Sequence, residues 1–552
     1  MNLFSGKLIY KAGRRFLMRM TIIFGGLIVC AGIHSPGAPA KANDFQTRHP
    51  LSKYSPEAVR AGEVPGKRLN YLRKYAAAQL KANGAAVIKS VQSKSGDFGL
   101  PEKLPSDPKL LAFLSKSADH FRVPYLHLGK KPDRRNLTFL YVAGALRDLW
   151  IYYGDENARL KYISIMKYAV RNIDKMSDKQ ISDKIDESGT GNFWHPLLKS
   201  AAYYYARLYE ATGDKYYAQR TCLILERFGE VIGRWKIHYW RQSGGKTISG
   251  EYKLDHTPKK NESHYGLWGW WGNVHDLMHS KPLLDAYTLV KSSRTFKQLP
   301  KNKQKIIVDG LLNTIVRKHL YYPIEPLHNQ NMNRISGMIY FGRYLDKPEY
   351  IRIAMSWLSD IIHLGYRRDG FWCEGSVSYG FHITRGLLSA YSELKDYEKQ
   401  KNADFDKSND ISYNLGMIKA AFNKLALPDG RSIALDDSTW NTKKQFFGIP
   451  PKNVEPFLMG ASQIGMMGFG SNKDQVRLYL HWDDSAGHDH LDMLGLALWS
   501  NNQEICSETA YRGLQEWNRS TAAHNLVMID EKDQPGMRNY RTRKKANEKI
   551  YL

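Results

Sequence analysis

Two hydrophobic periodicities divide this chain, and the switch between them constrains its fold more than any motif. From about residue 60 to 425 apolar residues recur at helical spacing. The clearest stretches are Leu137–Tyr153, Arg159–Asp174, Pro196–Thr212, Tyr216–Ile232, Lys301–His319, Ile351–Leu364 and Gly375–Leu394. Their junctions repeat a pattern: Tyr153-Gly154-Asp155, Thr212-Gly213-Asp214, and the variant Leu345-Asp346-Lys347-Pro348. Glycine ends a helix in the left-handed region and aspartate caps the next. Helix–short turn–helix units repeated in this way predict stacked antiparallel pairs, closed as an α/α toroid or open as a solenoid. After about residue 426 the chain turns to Pro428-Asp429-Gly430, Asp436-Asp437-Ser438 and short alternating runs, the signature of antiparallel β-structure. The expected fold class is therefore α+β multidomain, an N-terminal α/α toroid followed by an antiparallel β-sandwich. The run Ile550-Tyr551-Leu552 reads as the start of another strand, so the sandwich is expected to be incomplete. The expected domains are 1–42 as a leader, 43–425 as the toroid and 426–552 as the sandwich.

Charge narrows the partner. The 552 residues carry a formal net charge of +27, a field that attracts polyanions. Nucleic acid is disfavoured by the lack of zinc-finger spacing and of an aromatic RNA-binding motif. It is disfavoured further by the N-terminus, where Lys7, Lys11, Arg14, Arg15 and Arg19 precede an apolar stretch from Met20 to Ile33. That stretch is short for a membrane span, and Ala40-Lys41-Ala42 offers a cleavage site. The expectation is an exported protein, secreted or periplasmic, with no stable membrane span once the leader is gone. An uncleaved anchor, or lipidation at Cys30, is the alternative. Beyond the leader only Cys222, Cys373 and Cys506 remain, which is no disulfide framework. The polyanion left for consideration is an acidic polysaccharide. The 34 Tyr and 13 Trp suit sugar stacking as well as ordinary packing.

The densest polar motif is Gly487-His488-Asp489-His490-Leu491-Asp492. It lies between an alternating run, residues 475–482, read as a strand with one wet face, and a more apolar run, residues 493–499. Alternate residues of extended chain share a face, so two imidazoles can be held close together there. One would suit proton transfer and the other a metal; the bland alternative is a polar turn.

Two chemistries fit an enzyme acting on acidic polysaccharide. Hydrolysis needs two opposed carboxylates, for which Asp369 with Glu374, or Asp436 with Asp437, are candidates. Elimination at a uronic acid needs amide or imidazole donors to neutralise the sugar carboxylate. It also needs a Tyr or His to take the C5 proton and an acid to protonate the departing O4. The chain supplies this second set. His328-Asn329-Gln330-Asn331-Met332-Asn333 opens a helix with more amides than capping requires, and Tyr379 and His382 share a helical face. The loop Trp268-Gly269-Trp270-Trp271-Gly272 reads as a platform for sugar rings, against ordinary loop packing.

In their order and separation, the Asn-rich helix start, Asp369-Gly370-Phe371-Trp372-Cys373-Glu374-Gly375-Ser376, Tyr379, the His-x-His-x-Asp and Ser520-Thr521-Ala522-Ala523-His524-Asn525 resemble the heparinase II/III-like polysaccharide lyases. The resemblance covers about residues 260–540. It implies Asn331 as the carboxylate-neutralising residue, with Asn329 and Asn333 as neighbouring candidates. It implies Tyr379 as the catalytic acid and base, and His488 opposite it. Alignment to the chondroitin and hyaluronate type puts His382 and Tyr391 in those roles instead. His490 and His524 would ligate a structural zinc, with Glu508 at the place of a third ligand and Cys506 nearby as a softer donor. Substrate contacts would come from Asn329, Asn333, His382, Trp268, Trp270 and Trp271. No organic cofactor is implied. The activity expected is β-elimination on a uronic-acid polymer of glycosaminoglycan or alginate type. A toroid glycoside hydrolase and a non-catalytic polysaccharide-binding protein are the alternatives.

Overall fold

A computed structural model describes the chain between residues 143 and 534 apart from short segments, the longest being 187–193, 253–261, 439–445 and 509–519. All of these residues belong to one compact unit, Arg48–Leu552. The expected leader, residues 1–42, and the two tryptophans Trp270 and Trp271 lie outside the described residues.

The first described helices are α1 (Glu156–Val170), α2 (Asp178–Asp186), α3 (Trp194–Thr212) and α4 (Lys215–Val231). The α3–α4 junction is built as its sequence predicts. Gly213 takes φ +71°, and Asp214 caps α4 by accepting from the Tyr216 amide. Helix α3 packs along α4 and against α1.

A three-stranded antiparallel sheet then interrupts the helices: β1 (Ile237–Ser243), β2 (Lys246–Tyr252) and β3 (Glu262–Gly266), in the order β2-β1-β3. An unbroken helical reading of this region is corrected here. The signal was present, because a Gly-Gly dipeptide, 244–245, separates two alternating runs.

Helices resume with α5 (Gly272–His279), α6 (Lys281–Val290), α7 (Arg294–Gln298) and α8 (Lys301–Lys305). A π-helical segment, Ile306–Asn313, runs on into α9 (Thr314–Leu320). The last four are α10 (Asn331–Leu345), α11 (Pro348–Gly365), α12 (Val377–Lys401) and α13 (Asp410–Lys424). Helix α10 is the hub, packed on α5, α11 and α12. Two glycines permit that closeness: a Cβ at Gly337 would overlap Leu277 of α5, and one at Gly386 of α12 would overlap Met332. The N-terminal ends of α10 and α12 are thereby held side by side. No described helix is long and apolar enough to cross a membrane.

The C-terminal part forms a five-stranded antiparallel sheet, β4 (Phe457–Met459), β5 (Ile464–Phe469), β6 (Val476–His481), β7 (Gly495–Ser500) and β8 (Gln503–Cys506), paired in sequence order. The architecture is the expected one: helices first, antiparallel sheet after. Strand β6 alternates as expected, and its inward face is the polar one. Arg477, Tyr479 and His481 point inward and are buried, while Leu478, 38% exposed, faces out beside Met467 and Leu496. The arginine tolerates burial because its guanidinium donates to Gln475 Oε1 and to the Ala426 carbonyl.

Candidate active site

The site forms where the ends of α10 and α12 meet two loops of the β region. Ser376 caps α12 by accepting from the Tyr379 amide. Its hydroxyl lies 3.2 Å from that of Ser438, which also accepts from the Ser378 amide. Helix α12 is thus stapled to the turn Asp436-Asp437-Ser438. That turn in turn holds the β6–β7 loop: the Asp437 amide donates to the His488 carbonyl at 2.9 Å, and Asp436 Oδ1 accepts from the His490 amide at 2.9 Å.

These ties bring Tyr379 and His488 face to face, with ring centroids 3.5 Å apart and planes 9° from parallel. Asn329 Nδ2 lies 3.3 Å from His488 Nε2 and donates to Glu374 Oε2 at 3.2 Å. Glu374 also accepts from Trp372 Nε1 at 2.9 Å. On the far edge of the imidazole, His488 Nδ1 is 2.9 Å from Asp437 Oδ2. A carboxylate only accepts, so Nδ1 carries the proton and Nε2 presents its lone pair towards Asn329 and the Tyr379 side. Tyr379 and His488 remain partly open to solvent.

Asn331, the first residue of α10, is buried; the amide that reaches His488 is that of Asn329, two residues earlier. Asn333 turns to the other side, with Nδ2 3.3 Å from His275 Nδ1 and 3.0 Å from Gln330 Oε1. His382 is exposed one turn along α12. Tyr391 donates to Asp406 Oδ2 twelve residues beyond Tyr379, about 18 Å down the helix. The His382 and Tyr391 pairing is therefore not assembled around His488.

Trp268 corrects the stacking-platform expectation. It is only 8% exposed, packed edge-on against Phe228 and Trp235 and donating to Ser280 Oγ at 2.6 Å, with the Lys199 ammonium 4.0 Å over its ring. Its face is already covered. The hydrolase pairs fare no better. Asp369 accepts from the Ser462 amide and hydroxyl, Glu374 from Asn329 and Trp372, and Asp436 and Asp437 hold the histidine loop.

Behind His488 lies a buried group with donor atoms close enough to share one ion: His490, Asp492 and His524. Neither oxygen of Asp492 has a hydrogen bond, nor has His490 Nδ1. Burial pushes the Asp492 carboxyl up, yet the imidazoles of His481, His524 and His490 bring it below the usual carboxylate range. An orphaned, ionised carboxylate between imidazoles is the donor set a divalent metal such as zinc takes. Glu508 stands one step back, accepting from His524 Nδ1 at 2.5 Å; a carboxylate so placed orients a ligating histidine. Sequence reasoning left Asp492 without a role and offered Asp437 only as half of a hydrolytic pair, not as the partner of His488. The carboxylate two places after His490 was the available signal for Asp492.

A family profile described as Heparinase II/III-like, C-terminal, matches residues 480–550. No curated protein is a significant match. A crystal structure of heparinase III is similar at 13% identity over 70% of this chain and 70% of that one, with a TM-score of 0.42. That of the heparan sulfate lyase HepC from Pedobacter heparinus is similar at 13% identity over 89% of this chain and 70% of that one, with a TM-score of 0.38.

Proposed function

With residues 480–550 heparinase II/III-like in kind, we propose that the protein is a lyase that cuts a uronic-acid-containing polysaccharide by β-elimination. The observation that carries this reading is the convergence of Asn329, Tyr379 and His488 from three separate segments, with the candidate carboxylate pairs among the described residues engaged in hydrogen bonds of their own. Each has a duty in the elimination. Asn329, with Asn331 beside it, meets the sugar carboxylate and disperses the charge that develops when C5 loses its proton. Tyr379, its hydroxyl proton passed to the lone pair of His488 Nε2, takes the C5 proton; the C4–O4 bond breaks, a C4–C5 double bond forms, and Tyr379 returns the proton to the departing O4. His488 is suited to that place because Asp437 fixes its tautomer.

A structural zinc would be held by His490, Asp492 and His524, with Glu508 orienting His524. It would supply a rigid cross-link behind the loop that carries His488 rather than a reacting group. The leader, residues 1–42, would take the enzyme out of the cytoplasm to a polymeric substrate. The test is a panel of glycosaminoglycan and alginate-type polymers, followed by absorbance near 230 nm, with and without chelator. Unsaturated product on at least one polymer supports the reading. Cleavage with new reducing ends and no absorbance would replace it with hydrolysis.

A further inference from the structure

Beside the Asn-rich start of α10 lies a cluster of basic side chains that the elimination does not use. Lys199, in the second turn of α3, is only 7% exposed. Among the described residues its ammonium makes no hydrogen bond or ion pair; it rests on the Trp268 ring at 4.0 Å. The neighbouring acid, Asp276, is fully spent: it accepts from the Leu267 amide at 2.6 Å, the Trp268 amide at 3.2 Å and the Tyr322 hydroxyl. On the other side stand His275 and His279, stacked at 5.4 Å and both half-buried. His275 reaches Asn333, one helical turn from Asn329. Burial and the nearby Lys199 hold the His279 imidazole well below its usual range.

A buried ammonium that makes no hydrogen bond is expensive even with the attraction of Asp276, and one charge-assisted contact would offset that. The contact between His275 and Asn333 joins these imidazoles to the amide-rich start of α10. We propose that Lys199, His275 and His279 form an anion subsite for a sulfate or carboxylate on the sugar next to the one that meets Asn329. This rests on the acidic-polysaccharide reading and deepens it. The recognised unit carries a negative group beyond the uronate at the cleavage point.

Binding, rather than turnover, tests it. Oligosaccharides of one uronate backbone, with and without sulfate, are titrated calorimetrically at pH 6 into the full chain and into Lys199→Met. Loss of about tenfold in affinity for the sulfated chain alone assigns the subsite to sulfate, the loss expected for one charge-assisted hydrogen bond. An equal loss for both chains assigns it to carboxylate. Unchanged affinity for both overturns the proposal, as does a wild type that binds neither. If Lys199→Met does not fold, His275→Gln is titrated in its place and judged by the same outcomes. Binding without any unsaturated product would sink the lyase reading and leave the subsite standing.

Discussion

One carboxylate holds both histidines of the His-x-His: Asp437 Oδ2 lies 2.9 Å from His488 Nδ1, and Oδ1 lies 3.1 Å from His490 Nε2. The two rings are thereby given separate duties by a single buried group, 2% exposed, lying fifty-one residues upstream of the first. His488 is turned to Tyr379 and Asn329. His490 is turned to Asp492 and His524.

Asp437→Asn is expected to lower turnover about 10- to 100-fold, the usual effect of removing a residue that orients a functional imidazole. An amide keeps one acceptor and presents a donor at the other position, so one of the two histidines loses its partner. Unsaturated product formation and metal content measured on the same preparation check this. Wild-type values of both would show that the bridge is incidental.

Tyr379→Phe removes only a hydroxyl. The ring that stacks on His488 remains, so thermal stability and affinity for polymer should stay within error of wild type. Turnover should fall by at least about 10²-fold if the hydroxyl transfers the proton. A variant that retains full activity would remove Tyr379 from the reaction.

The division into helices and sheet was legible because apolar period and turn residues agree at each boundary, as at Gly213-Asp214. Pairings made across the chain were not. Asp437 reads as turn chemistry beside Asp436, and nothing in the sequence aims it at His488. Alternation in β6 was legible, but the choice of inward face was not. Arg477 prefers water unless its donors are filled, and its main-chain acceptor, Ala426, lies fifty-one residues away. Trp268 misled for the same reason: composition names a stacking residue, and only packing reveals that Lys199 and Phe228 already cover it.

Metal removal should be visible in stability before activity. With no ion, Asp492 is a buried carboxylate without a hydrogen bond, so chelation is expected to lower the melting midpoint of the wild type by several degrees. Asp492→Asn should purify with less than the wild-type metal content and should not respond to chelator. Elemental analysis and calorimetry decide it. A metal-free wild type after growth with zinc, melting identically with and without chelator, would refute the site.

Lys199 and Asp276 make a testable pH signature. Burial pushes Lys199 down to about 7, against the attraction of Asp276, and pushes Asp276 up to about 6, against its donors and Lys199. Between its folded value and about 10 the unfolded chain binds a Lys199 proton that the folded chain has lost, so stability rises with pH over that window. For Asp276 the folded chain keeps a proton that the unfolded one releases, so stability falls as pH rises from about 4 to about 6. Denaturant unfolding across pH 4 to 10 should show both slopes. In Lys199→Met the upper one should flatten.

Glu210 ties Arg147 to helix α3 and predicts an acid limit. It accepts from Arg147 Nη2 at 2.7 Å and from Arg207 Nη1 at 2.8 Å, and both guanidiniums are buried. Burial alone would raise its carboxyl, yet the two arginines hold it down at about 2. Its contribution is therefore fully present above the unfolded value near 4.5 and is lost as pH falls towards 2. Glu210→Gln would leave two buried cations with one neutral acceptor, a loss of about 3–5 kcal/mol at neutral pH. The same change should remove part of the acid-induced loss below pH 4, so wild type and variant should converge in stability there. Curves that stay parallel down to pH 2.5 would mean that Glu210 is not the group that titrates.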